Sequence, residues 1–185
     1  MINGMGESMK TNDIAEMLRA CGVPDSRAVK WYFSLDSACE KYQINTHARR
    51  ASFVAQILHE SGRLAYVKEL WGPTPAQAKY EGRADLGNIE QGDGFRFRGR
   101  GLIQITGRAN YKSTGDALGL DLIGFPELLE APINAAISAA WFWGRHGLNE
   151  LADSGDFVRI TRRINGGING MKERELFHKL CLSIK

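Results

Sequence analysis

The chain has 185 residues, of which 43% are hydrophobic and 24% charged, the composition of one globular domain with a proper core and of neither a disordered, a collagenous nor a membrane-embedded protein. Lys and Arg number 24 against 21 Asp and Glu, for a formal charge of +3, only a weak argument for an anionic partner and short of the basic excess of a dedicated duplex binder. Glycine is the outlier at 21 residues, about 11% against a usual ~7%, so many positions require tight turns or bare backbone.

Residues 1–10 are small, polar and Gly-bearing and read as a flexible tail, leaving 11–185 as a single domain. The tail has no apolar stretch of a secretory signal, and no apolar run is long enough to cross a membrane. Synthesis in a reducing cytoplasm is expected, with an outside agent needed for any action beyond it. Cys21, Cys39 and Cys181 are widely spaced and include no CxxC pair, so neither a disulfide framework nor a zinc site is indicated.

Thr11 can cap a first helix carrying Ile14, Met17 and Leu18 and ending at Cys21-Gly22. Pro24 opens a second, over about 25–42, with Val29, Tyr32, Phe33, Leu35 and Ala38 at helical spacing. Asn45 and Thr46 offer the cap of a third, whose apolar arc (Ala51, Phe53, Val54, Ala55, Ile57, Leu58) is wide enough to predict burial on most sides. It closes on His59-Glu60-Ser61-Gly62, where glycine suits the left-handed C′ position. From Gly72 to Gly107 the periodicity vanishes, and glycines alternate with Arg96, Arg98, Arg100 and Arg108 in a long shaped loop with a short extended segment at Leu102–Thr106. Helical signals resume at 108–119, 132–145, 156–164 and 171–182.

Direct search finds no GxSxG, no GxGxxG, no Gly-Lys phosphate loop and no HExxH, since His59-Glu60 is followed by Ser61-Gly62-Arg63. Carboxylate chemistry remains. On one unbroken helix Glu60 and Glu69 would sit roughly 180° apart and about 13.5 Å along the axis, but a reversal at Gly62 lets them face each other across a cleft. Glycosidases need such a pair, one carboxyl protonated in an apolar site and one ionised. Glu60, at the end of a buried helix, suits the first; Glu69, beside Lys68, suits the second.

These residues also carry a resemblance. Gln56–Gly62 (QILHESG), Tyr80–Arg83 with Leu86–Asn88, Gly92–Gly107 (GDGFRFRGRGLIQITG), Asn110-Tyr111 and Ile164–Gly167 (INGG), in this order, are similar to glycoside hydrolase family 19, and more closely to its phage and prophage endolysins. The resemblance implies a mainly α, lysozyme-like fold with two helical lobes around a substrate cleft and little β structure. It implies Glu60 as general acid, Glu69 as the base that activates a water, and Thr106 as the hydroxyl holding that water, for an inverting reaction whose carboxyls stand roughly 6.5–9.5 Å apart. Gln104, Tyr111 and Asn165 match substrate-contacting positions, and the Asn165 amide can both donate to and accept from an N-acetyl group.

Other residues admit plainer readings. His59 points about 100° from Glu60 and is expected to fix the helix end, and His47, His146 and His178 lack ligand-like spacing. The four loop arginines are expected to brace the loop, with anionic cell-wall contact as the alternative and nucleic acid behind both. Trp141 and Trp143 cannot both face a cleft, while Trp71 either stacks on a sugar or packs. The expected function is an endolysin-type hydrolase of the β-1,4 bonds of peptidoglycan, with chitinase as the nearest alternative and an inactive glycan-binding module as the alternative of another class. No metal or cofactor is called for, nor membrane insertion or a nucleic-acid partner. A monomer is expected, released to the periplasmic wall by a holin-type partner.

Overall fold

A computed structural model describes residues 13–184; the tail over 1–10, the Thr11 cap and Lys185 lie outside the described residues. Helix α1 (Asp13–Ala20) buries Ile14, Met17 and Leu18 and ends at Gly22, whose φ of 76° admits the closing bond from Val23 N–H to the Leu18 carbonyl. Helix α2 (Asp25–Lys41) presents Ala28, Trp31, Leu35, Ala38 and Cys39 to the core. Of the predicted stripe Leu35 and Ala38 are buried, but Val29 and Phe33 are 59% and 67% exposed; Ala28, Trp31 and Cys39 complete the inward face, where α2 packs against α7 (Pro132–Arg145).

Helix α3 (His47–Glu60) begins where the Thr46 hydroxyl accepts from Arg49 N–H at 3.2 Å and is buried at every position from Arg50 to Leu58. It lies against α10 (Met171–Leu182). The helices α6 (Arg108–Leu118), α7 (Pro132–Arg145) and α9 (Phe157–Asn165) stand close to their predicted ranges. A short α8 (Leu148–Asp153) and a 3-10 segment at Pro126–Glu130 were not foreseen, being shorter than the window in which periodicity shows.

The long loop is built rather than featureless. It holds one-turn helices α4 (Pro75–Ala78) and α5 (Asp93–Arg96) and a 3-10 turn at Ala84–Leu86. The Glu81 carboxylate accepts from Gly92 and Gly94 N–H at 2.7 and 3.0 Å, and buried Asp93 accepts from Ile89 and Glu90 N–H at 3.0 Å each. Polar side chains thus take up backbone donors that no helix or sheet would satisfy.

The predicted extended segment over 102–106 is instead a tight turn. Positive φ at Gly101 (77°) and Gln104 (53°) folds it back, and only isolated bridges form, Lys68 to Arg100 and Arg100 to Ile105. Its apolar side chains are spent on packing, with Leu102 in one hydrophobic cluster and Ile105 in another. The larger cluster joins α1, α2, α3 and α7 through α10; the smaller gathers Phe97, Ile105, Tyr111, Leu122 and Leu129, and Ile103 touches both. These are two helical lobes that meet at the 101–106 turn, with almost no β structure among the described residues.

Candidate active site

Glu60 is the last residue of α3, one turn beyond Gln56, so the two side chains share a face. That face meets Arg174 of α10, which is fully buried. Arg174 Nη2 donates to Glu60 Oε1, Nη1 donates to Gln56 Oε1, and Nε donates to the Asn169 carbonyl at 3.1 Å. Gln56 Nε2 in turn donates to Thr161 Oγ1 of α9 at 2.8 Å. The apolar surroundings expected for Glu60 are therefore corrected: its carboxyl, 18% exposed, is paired with a buried guanidinium, because the helical repeat that buries α3 also aims Gln56 and Glu60 at α10. His59 has the expected structural place, with Nδ1 2.7 Å from Glu173 Oε2 and its ring over Gly170, where a Cβ would lie 2.0 Å from Cε1.

Beyond Glu60 the chain reverses through three consecutive left-handed residues, Gly62, Arg63 and Leu64, at φ of 57°, 57° and 62°. Non-glycine residues resist this conformation by roughly 1–2 kcal/mol each, and buried Ser61 supplies the compensation. Its hydroxyl donates to the Ile57 carbonyl at 2.6 Å and accepts from Leu64 N–H at 2.9 Å, while its carbonyl accepts from Ala65 and Tyr66 N–H. The reversal that sequence required between the two glutamates is thereby made.

Glu69 then pairs with the glycine loop. Its N–H donates to the Gly99 carbonyl at 2.8 Å and its Oε2 accepts from Gly99 N–H at 3.0 Å. Oε1 accepts from Gln77 Nε2 at 3.0 Å and from the Tyr80 hydroxyl at 3.5 Å. Gln77 is itself fixed by a capping box at α4, where its Oε1 accepts from Thr74 and Gly72 N–H at 2.8 and 3.2 Å. Burial, followed by the nearby charge and hydrogen bond of Glu69, pushes the Tyr80 phenol up, which keeps it a donor. Lys68 does not neutralise its neighbour: it pairs with Glu130 at 3.0 Å. Glu130 also receives Arg100 Nε at 2.8 Å, and although burial opposes it, the two cations hold that carboxyl below its ordinary range.

Gln104 and Thr106 occupy the turn beside this cage. Thr106 Oγ1 donates to the Gln104 carbonyl at 2.9 Å, which leaves the hydroxyl oxygen free to accept. Both line a cavity of about 340 Å³ that also touches Asn110, Ser113, Trp141 and Arg145. Of the tryptophan pair, Trp141 therefore borders open space, whereas Trp143 is buried and donates from Nε1 to Asn149 Oδ1 at 2.9 Å. Asn165 ends α9, and its Oδ1 is buried without a hydrogen-bond partner. Trp71 is half-buried and packs against Tyr80 and Phe95 with ring centroids 6.1 and 5.5 Å away.

Tyr111 requires a correction. It is 0% exposed, and its hydroxyl donates to the Arg98 carbonyl at 2.6 Å and accepts from Arg100 Nη1 at 3.0 Å. Burial, partly offset by Arg100, lifts this phenol to about 12. It stands inside the wall and braces the 98–100 backbone that holds Glu69, so it cannot touch a bound polymer.

All four loop arginines serve the fold. Arg96 donates to the Ile123 and Gly124 carbonyls, Arg98 to the Phe95 carbonyl, Arg100 to Glu130 and Tyr111, and Arg108 to Asp93 and Glu90. Sequence reasoning missed Arg174, Gln56, Gln77 and Tyr80 as supports of the two glutamates. Gln56 was visible as a polar residue in an apolar stripe, and Gln77 as the fourth residue of Thr74-Pro75-Ala76-Gln77. Arg174 lies in a charge-rich helix of ordinary appearance and gave no signal.

Residues 48–151 match the family model of chitinase class I, glycoside hydrolase family 19. A glycosyl hydrolase family 19 domain-containing protein of Haemophilus influenzae is 34% identical over 181 residues, covering 82% of this chain and 88% of that one. An endochitinase of Arabidopsis thaliana is 36% identical over 118 residues, covering 63% of this chain and 39% of its own, so the chain spans about two-fifths of that plant relative. Chitinase C from Streptomyces griseus superposes with a TM-score of 0.69 at 24% identity, over 97% of this chain and 79% of that one. A bacterial family 19 chitinase superposes with a TM-score of 0.67 at 25% identity, over 95% and 96%. With the family model spanning more than half the sequence and a relative matched nearly end to end, the chain belongs to glycoside hydrolase family 19.

Proposed function

We propose that the protein is an endolysin-type cell-wall hydrolase that cleaves β-1,4 bonds of the peptidoglycan glycan strand by single displacement with inversion. The observation that carries the acid–base reading is the unequal support of the two glutamates. Glu60 has one oxygen tied to Arg174 and the other without a partner among the described residues, and Glu69 is gripped on both oxygens by Gln77, Tyr80 and Gly99. In this reading Glu60 delivers a proton to the leaving oxygen and Glu69, fixed as an acceptor, orients and deprotonates a water. Thr106 accepts a hydrogen bond from that water. Gln104, Asn165 and Trp71 contact the sugars, the Asn165 amide being able both to donate to and to accept from an N-acetyl group.

Peptidoglycan is favoured by the bacterial relative that covers 82% of this chain, since the alternating N-acetylglucosamine and N-acetylmuramic acid strand is the β-1,4 glycan of bacterial walls. A chitinase is the second reading, favoured by the plant relatives described as endochitinases and by the superposed structures of bacterial chitinases. The enzyme acts as a monomer, made in the host cytoplasm and admitted to the periplasmic wall by a holin-type partner. The test is mass spectrometry of products from purified peptidoglycan and from chitin oligomers, with Glu60→Gln as control. Reducing-end muropeptides, absent with Glu60→Gln, support the proposal. Release from chitin alone selects the second reading, and full lysis by a folded Glu60→Gln variant rejects the acid assignment.

A further inference from the structure

The cavity beside Gln104 and Thr106 has a feature that hydrolysis of a neutral glycan does not require. Its wall includes Arg145, at the end of α7, whose guanidinium carbon lies 5.3 Å from the centre of the Trp141 ring. Of the five N–H donors of this group, one is taken, by Ser113 Oγ at 3.2 Å. Four cations near the candidate site are paired with carboxylates, Arg100 with Glu130, Arg108 with Asp93, Arg174 with Glu60 and Lys68 with Glu130, and Arg96 and Arg98 are turned to backbone carbonyls. The acid on the neighbouring helix face, Asp116, is held by Lys112 at 2.8 Å. Arg145 has no carboxylate partner among the described residues, and it stands at a concave, partly aromatic surface that shares Gln104 and Thr106 with the candidate site.

The geometry points to Arg145 as a specificity-determining residue that receives a carboxylate carried by the substrate. Its planar fork matches a carboxylate, and the indole beneath holds the fork in place. This rests on the peptidoglycan reading, because chitin is neutral along its whole length. A muramyl sugar carries a lactyl ether whose carboxyl is either free or extended by a peptide with carboxylates of its own, and both sources offer the same chemistry to Arg145.

The experiment compares wild type, Arg145→Gln and Arg145→Lys on three soluble substrates: peptide-free glycan strands with free lactyl carboxylates, strands bearing their peptides, and chitin oligomers. Thermal melts confirm folding. Arg145→Gln is expected to raise KM about tenfold on at least one carboxylate-bearing substrate, with kcat within about twofold, and to shift KM on chitin oligomers by less than about twofold; Arg145→Lys falls between. An effect confined to peptide-free strands names the lactyl group as the source, and one confined to peptide-bearing strands names the peptide. Equal losses on all three substrates, or none on any, overturn the assignment while leaving the peptidoglycan reading in place. Failure of wild type to cleave either muramyl substrate overturns both.

Discussion

Arg174→Met tests whether a buried guanidinium holds the end of α3 in place. Arg174 is 0% exposed and makes three hydrogen bonds, to Glu60, Gln56 and the Asn169 carbonyl. Methionine keeps much of the volume but strands these acceptors. Charged hydrogen bonds are worth about 1.5–3 kcal/mol each, so the gross loss is roughly 4–9 kcal/mol. Glu60, 18% exposed, recovers part of its share from water, which brings the net cost to the roughly 3–5 kcal/mol typical of removing one partner of a buried ion pair. At about 2–4 °C per kcal/mol for a domain of this size, Tm falls by roughly 6–20 °C. Arg19→Met is the control, since its ion pair with Asp25 has both side chains largely exposed, at 46% and 80%, and is worth at most about 1 kcal/mol. Urea unfolding of both variants reads the difference. The reasoning fails if Arg174→Met costs no more than Arg19→Met. In a double-mutant cycle, Glu60→Gln in the Arg174→Met background should cost less than in wild type, because the partner is already gone.

Two further outcomes are expected. A Cβ on Gly99 would lie 2.7 Å from Gln104 Oε1, while Gly99 N–H and carbonyl both bond to Glu69. Gly99→Ala or Gly99→Val should therefore lower turnover at least tenfold through misplacement of Glu69 and Gln104, whereas Gly4→Val should not, and equal activities of the Gly99 and Gly4 variants would refute the placement. At acid pH, Asp93 should matter. Its hydrogen bonds from Arg108 outweigh its burial and hold the carboxyl below its ordinary range, so its contribution is present above about pH 4 and is lost as pH falls through the folded value. Asp93→Asn should be less stable than wild type near neutrality, with the gap closing on acidification. Chemical denaturation from pH 7 to 2.5 checks this, and a gap that does not change with pH would count against it.

The helical framework was largely legible because long amphipathic helices announce themselves by period. The edges of the α2 face were not: Leu35 and Ala38 lie inside as read, but Ala28 carries little hydrophobic signal while Val29 and Phe33 carry much, and the docking of α7 decides which flank is inside. The loop over 72–107 was legible as functional from its glycines, but not as one-turn helices and side-chain-capped turns. Those depend on pairings such as Glu81 with Gly92 and Gly94 or Asp93 with Arg108, which join residues whose proximity no local pattern encodes.

The site divides along the same line. Motif resemblance singled out Glu60, Glu69, Gln104 and Thr106 as candidates, and turn logic required a reversal at Gly62, but neither could supply the groups that set the glutamates' surroundings. Glu60 was expected to sit in apolar surroundings, yet its α3 face meets Arg174, which ties one carboxyl oxygen to a buried guanidinium. At Glu69 both oxygens are held by fixed donors. Two identical side chains are thus differentiated by partners: a single cation from a distant helix at Glu60, and a set of amide, phenol and backbone donors at Glu69.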